Sequence, residues 1–275
     1  MSTTPTTPPP GAPKTSRTLH HRIDGGGSRL VLAHGFTQTS RVWGSIDADL
    51  AGDHQVVAVD LPGHGASSEV ASTLVDGALL LAEVGGRAHY LGYSMGARFC
   101  LHLALARPDL VDSLVLISGT AGIEDEGERR ARRGTDAALA DRLDPDRPTG
   151  ATVPIEAFLR EWMANPMFEG ITAEAGGLEE RKANTGRGLA SSLRLAGTGS
   201  QLPLWKLLGR LEMPVLVVTG GNDQKFSALG RRMVGAIGSN ATLVEIPGTG
   251  HAPHLQRPDV VAGSVRRHVA SGPGR

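Results

Sequence analysis

The chain has 275 residues, 40% of them apolar, and 28 Lys plus Arg balance 28 Asp plus Glu to a formal net charge of zero. That apolar content excludes a fully disordered chain, and the even charge lacks the basic excess of a nucleic-acid binder. The longest apolar runs, such as Ala78–Ala82 and Val215–Val218, fall far short of the roughly 20 residues that span a bilayer, and the single cysteine, Cys100, cannot form an intrachain disulfide. No nucleic-acid partner and no membrane span are expected, and a reducing, cytoplasmic setting is.

Residues 1–16, MSTTPTTPPPGAPKTS, are rich in proline and threonine and read as a disordered tail. They contain no apolar stretch of the about 7–15 residues that a secretory signal needs. Short runs rich in Val, Leu and Ile then recur at Arg29–His34, Gln55–Asp60, Ala88–Tyr93, Ser113–Ser118, Pro214–Thr219 and Ala241–Ile246. Near-continuous apolar strands of this length are covered on both faces. Helical patterns such as Met95–Ala106 separate most of them, so the expected class is α/β with a mostly parallel sheet flanked by helices. Between Thr120 and Leu204 no strand pattern occurs. Helices are expected there over Glu124–Leu143, Ile155–Ala164 and Leu178–Leu195, as an inserted helical lid. The core is then 17–120 with 205–275, and the lid 121–204.

Gly92-Tyr93-Ser94-Met95-Gly96 places a serine between a strand and a helix, with small flanking residues that allow a sharp turn. A serine hydroxyl is a weak nucleophile or base until a histidine takes its proton. His251 follows the last strand, and Asp223 follows the strand at 214–219. The chain order Ser94, Asp223, His251 and the position of each at a strand's carboxyl end fit one active constellation. The N–H groups of Phe36 and Met95 are candidates for an oxyanion hole. His34 and His64 lie in glycine-rich turns and read as structural. No Cys cluster or HExxH pattern supports a metal, and none is expected.

HGF at 34–36, DLPGHGAS at 60–67, GYSMGAR at 92–98, the Asp223 loop and GTGHAPH at 248–254 resemble the α/β-hydrolase superfamily. The runs ERRARR at 128–133, WMANPMF at 162–168, RKAN at 181–184 and NDQKF at 222–226 narrow the resemblance to the 2-succinyl-6-hydroxy-2,4-cyclohexadiene-1-carboxylate synthases of menaquinone biosynthesis. Ala97 stands where that family often has glycine, and Met163 follows Trp162 where some members have tyrosine. The resemblance implies the α/β-hydrolase fold and a lyase without cofactor, in which the Ser–His–Asp system removes a ring proton and pyruvate is eliminated. It implies a small-molecule carboxylate substrate bound by Arg98, Arg132, Arg181 and Tyr93, with Trp162 and Phe168 from the lid excluding water. Arg98 also falls one helical turn after Ser94, on the same side. Two alternatives stay open. One is a hydrolase of esters or C–C bonds with Ser94 as covalent nucleophile, and the other is a non-catalytic receptor of the same fold.

Overall fold

A computed structural model describes residues 18–146 and 152–270; the tail expected at 1–16 lies outside the described residues. The strands are β1 (His21–Asp24), β2 (Ser28–Ala33), β3 (His54–Val59), β4 (Ala88–Tyr93), β5 (Val111–Ile117), β6 (Val215–Gly220) and β7 (Ala241–Ile246). They form one sheet in the order β1-β3-β2-β4-β5-β6-β7. β1 pairs antiparallel with β3, and the other neighbours pair in parallel. The helices in chain order are α1 (Ile46–Leu50), α2 (Leu74–Gly85), α3 (Met95–Ala106), α4 (Glu126–Leu143), α5 (Ile155–Met163), α6 (Leu178–Arg181), α7 (Gly186–Ala196), α8 (Gln224–Ile237), α9 (Pro253–Gln256) and α10 (Pro258–Ala270).

The apolar strand runs serve two cores. Along β2, Val31 and Ala33 join α2, α3 and α8 on one face, while Leu30 and Leu32 join α1 and α10 on the other. Side chains alternate across a strand, so a strand buried on both faces must be apolar at nearly every position. β1 lacks such an apolar run because it follows another rule. It is a short edge strand with half-exposed and exposed residues, Ile23 among them at 48%.

Between β5 and β6 the chain builds α4 to α7, whose residues Ala140, Leu143, Phe158, Leu159 and Leu189 form a small core of their own. The two ends of this insertion meet where Leu204 N–H donates to Ala121 O at 2.7 Å. α4 starts two residues later than its pattern suggests, because the Asp125 side chain caps it by accepting from Glu128 N–H. The single helix expected over 178–195 is two. Asn184 turns its side chain to the core, and Thr185 then caps α7 by accepting from Gly188 N–H at 3.0 Å.

Candidate active site

Ser94 sits between β4 and α3 at φ +49° and ψ −102°, a conformation that L-residues with side chains rarely adopt. The turn closes only because its neighbours are bare. A Cβ on Gly96 would lie 1.8 Å from Ala33 O, and one on Gly92 would lie 2.4 Å from Gly96 O. The Ser94 N–H is held by Ile117 O of β5 at 2.8 Å, so the strained residue is tied into the sheet.

Asp223 and His251 arrive from the ends of β6 and β7. Asn222 N–H donates to Thr249 O at 2.9 Å and couples the two loops. Gly220 permits their approach, since a Cβ there would meet Gly250 O at 1.9 Å. His251 Nε2 stands 3.1 Å from Ser94 Oγ, and His251 Nδ1 stands 2.8 Å from Asp223 Oδ2. Asp223 Oδ1 accepts from Phe226 N–H, capping α8. Burial opposes charge on Asp223, but the bonds from His251 and Phe226 N–H and the nearby Lys225 outweigh it and hold the carboxyl below its ordinary value. An ionised Asp223 on Nδ1 fixes the tautomer that leaves Nε2 free to accept the serine proton. The His251 ring is walled by Phe226, with centroids 4.4 Å apart, and by Tyr93 at 5.6 Å.

Ser94 opens into a cavity of about 830 Å³ whose wall includes Phe36, Met95, Arg98, Arg132, Trp162 and His251. Met95 begins α3, so its N–H is one of the first-turn donors with no intrahelical acceptor. Phe36 follows Gly35, where a Cβ would strike the Tyr93 ring at 2.6 Å. His34 and His64 are buried beneath this loop. His34 Nε2 accepts from Leu61 N–H at 3.0 Å, and His64 Nε2 accepts from Thr37 N–H at 3.3 Å. Desolvation lowers His34 to about 4 and His64 to about 3, so both are neutral hydrogen-bonding struts at neutral pH.

The six residues expected to contact substrate have different destinations. Arg98 lies in the cavity wall, nearly fully buried, with Nη1 donating to Ala196 O at 2.7 Å. Burial, with help from Arg132, lowers it to about 10, so it stays cationic at neutral pH. Arg132 is half-exposed in the same wall and is paired with Asp136 at 2.7 Å one helical turn on. Trp162 lines the cavity, its ring 5.1 Å from that of Phe36. Arg181, Tyr93 and Phe168 are not in this wall. Arg181 is 1% exposed and donates through Nε to Gly176 O at 2.7 Å and through Nη1 to the Thr37 hydroxyl. Tyr93 is buried, with its ring centroid 4.2 Å from that of His254. Phe168 is buried 6.1 Å from Trp162 and 6.4 Å from His251, ring to ring, and so backs residues that line the cavity. Lys225 and Arg232, outside the expected set of site residues, also lie in the wall. Arg232 is paired with Glu124 at 2.5 Å and lies 3.8 Å above the Trp205 ring. Lys225 was legible, two positions after Asp223 at the start of the helix that Asp223 caps.

A strained serine on a parallel sheet, with histidine and aspartate delivered from two further strand ends, is the arrangement by which α/β enzymes can activate a hydroxyl. The chain belongs to the alpha/beta hydrolase family, whose model matches residues 30–264. A 2-succinyl-6-hydroxy-2,4-cyclohexadiene-1-carboxylate synthase of Enterobacter sp. (strain 638) is 30% identical over 241 residues, 85% of this chain and 88% of its own. A Bacillus subtilis (strain 168) protein, provisionally named for the same synthase, is 30% identical over 88% of this chain and 90% of its own. Among solved structures, MenH from S. aureus superposes with a TM-score of 0.82 at 26% identity, covering 91% of this chain and 98% of that one. The chain is thus an enzyme of the α/β-hydrolase fold that resembles these synthases through core and insertion alike. Among the described residues no helix is long and apolar enough to cross a membrane.

Proposed function

We propose that the chain is a lyase that eliminates pyruvate from a carboxylate-rich cyclohexene to form 2-succinyl-6-hydroxy-2,4-cyclohexadiene-1-carboxylate. The reading is supported by the synthase relatives at 30% identity over most of the chain. It is carried by one juxtaposition, the Ser94 hydroxyl on its His251–Asp223 relay and the Arg98 guanidinium in the wall of the same cavity. His251 takes the proton of Ser94, and the serine oxygen takes the acidic ring proton. The C–H electrons form the new ring double bond, the C–O bond to the enolpyruvyl group breaks, and the departing enolpyruvate takes the proton held on His251 and becomes pyruvate, which returns the relay to its starting state. Negative charge develops on a carbonyl or carboxylate conjugated with that carbon, where the N–H groups of Phe36 and Met95 meet it. Arg98 and Arg132 hold substrate carboxylates through charge-assisted hydrogen bonds, fixing the ring for proton removal. Residues 121–204 serve as the lid over a core of 17–120 and 205–275, and Trp162 keeps water from the reacting carbon. We take the enzyme to work in the cytoplasm, in keeping with its one thiol, Cys100, buried and unpaired.

The test is turnover of the enolpyruvyl cyclohexene substrate beside p-nitrophenyl acetate, with pyruvate read by a coupled dehydrogenase. The expected result is pyruvate release with little ester cleavage. Brisk ester cleavage without pyruvate would make the chain a serine hydrolase instead.

A further inference from the structure

The peptide that presents the Phe36 N–H is half of a tight turn. Gln38 N–H donates to Gly35 O at 3.1 Å, which puts Phe36 and Thr37 at the two central positions. A trans peptide is planar, so directing Gly35 O at Gln38 directs the Phe36 N–H the opposite way. The turn demands φ +67° at Thr37, in the left-handed region where a β-branched residue is an outlier and glycine or asparagine is preferred. Such a conformation persists only when its surroundings over-determine it.

Three buried side chains hold Thr37. His64 Nε2 accepts its N–H. Asn184 Nδ2 donates to its carbonyl at 2.7 Å, and Arg181 Nη1 donates to its hydroxyl. Two of the three belong to the insertion, 144 and 147 residues further along the chain. Asn184 is anchored in turn, because its Oδ1 accepts from Gly65 N–H at 2.9 Å while its Nδ2 also donates to Arg181 O at 2.8 Å. The hydrogen bonds of Arg181 go to neutral oxygens, Gly176 O and the Thr37 hydroxyl, and its guanidinium lies outside the cavity wall. Keeping a cation in such a place is costly. A side chain serving only to hold a helix end in place would not need to be a guanidinium.

We propose that Arg181 and Asn184 are positioning residues for the oxyanion hole: through Thr37 they fix the turn that aims the Phe36 N–H at Ser94, so that the hole is assembled jointly by the core and the insertion. The inference rests on the reading of that N–H as a donor to developing charge. Arg181 then acts on the reaction without touching the substrate.

The experiment compares Arg181→Lys, Arg181→Met, Thr37→Val and the Thr37→Val/Arg181→Met double variant. Valine keeps the shape of threonine and removes only the hydroxyl. Each single variant is expected to lower kcat for pyruvate release about tenfold or more, with KM within about threefold, because a misaimed donor costs transition-state stabilisation. The double variant is expected to be no worse than Arg181→Met, since both changes break one link. A KM rise at unchanged kcat that Arg181→Lys restores would make Arg181 a direct carboxylate ligand and overturn the proposal, as would additive losses in the double variant. If Arg181→Met does not fold, Thr37→Val and Arg181→Lys carry the test, and wild-type kcat in Thr37→Val overturns it. Phenylboronic acid gives a readout independent of the reaction assigned above, because its tetrahedral adduct on Ser94 places a negative oxygen at the hole. Its Kd is expected to weaken about tenfold in Thr37→Val and Arg181→Lys, and unchanged affinity would sink the strut even if the lyase reading stands.

Discussion

The carboxyl edge of the sheet and the insertion above it both carry charged side chains, but their destinations follow different rules. Ser94, Asp223 and His251 sit at the ends of β4, β6 and β7, where register and turn chemistry fix each side chain within a few residues of a strand. Arg132 and Arg181 sit on helices whose placement depends on tertiary packing. One faces the cavity paired with Asp136, and the other reaches back to Thr37, 144 residues earlier in the chain. A residue type in the right family position therefore says more when the backbone around it is strained and short-range than when it lies on a docked helix.

The comparison breaks first at the strand-end relay. Asp223→Asn should leave the fold intact, because the side-chain oxygen can still accept from Phe226 N–H, yet it should lower kcat by about 10³–10⁴-fold through loss of the histidine tautomer. A loss under tenfold in steady-state kinetics would mean that this carboxylate does not orient His251. The turn itself is tested by Gly96→Ala. The added methyl falls 1.8 Å from Ala33 O, and chemical denaturation should show a loss of about 3 kcal/mol or more, or no folded protein. Near wild-type stability would show that the elbow tolerates a side chain.

The arginines sharpen the comparison at smaller amplitude. Arg98→Met should raise KM about tenfold or more, since a charge-assisted hydrogen bond in a buried wall is worth about 1.5–3 kcal/mol. Arg132→Met should cost less, because Asp136 already compensates that charge and solvent screens it. Equal effects, or a larger one at Arg132, would reverse the ranking that burial predicts.

The least site-specific effect is on stability against pH. His34, His64 and His254 are held by desolvation at about 4, 3 and 3, below the ordinary 6.5. Between those values the unfolded chain binds protons that the folded one does not, so stability falls as pH drops from 6.5 toward 4. Asp60 and Asp223, lowered in the folded state, lose their contribution in the same direction at lower pH. Tm should decline from pH 7 to pH 5, and a Tm that rises over that interval would contradict the buried, neutral assignment.

Six of the seven strands, the serine turn and the chain order of its partners were legible because each is a local signal: apolar runs of about six residues, bare glycines at a close approach, a carboxylate at a helix start. β1 was not, since a half-exposed edge strand of four residues lacks an apolar run. The break between α6 and α7 has a local mark, the run Asn184-Thr185-Gly186 with Thr185 capping α7, but the bonds that Asn184 makes to Thr37 and Gly65 lie far away in sequence. The same distance hid the fate of Arg181, whose partner hydroxyl is 144 residues earlier. Lys225 could have been found, because the NDQKF run that carried the resemblance contains it and only its cavity-facing position was missing.

The most direct measurement is the rate of pyruvate release from the enolpyruvyl cyclohexene substrate by the wild-type chain and by Ser94→Ala, side by side. The account predicts steady release by the first and a rate at least about 10³-fold lower for the second. Release by the alanine variant at near the wild-type rate would contradict a proton transfer through this hydroxyl.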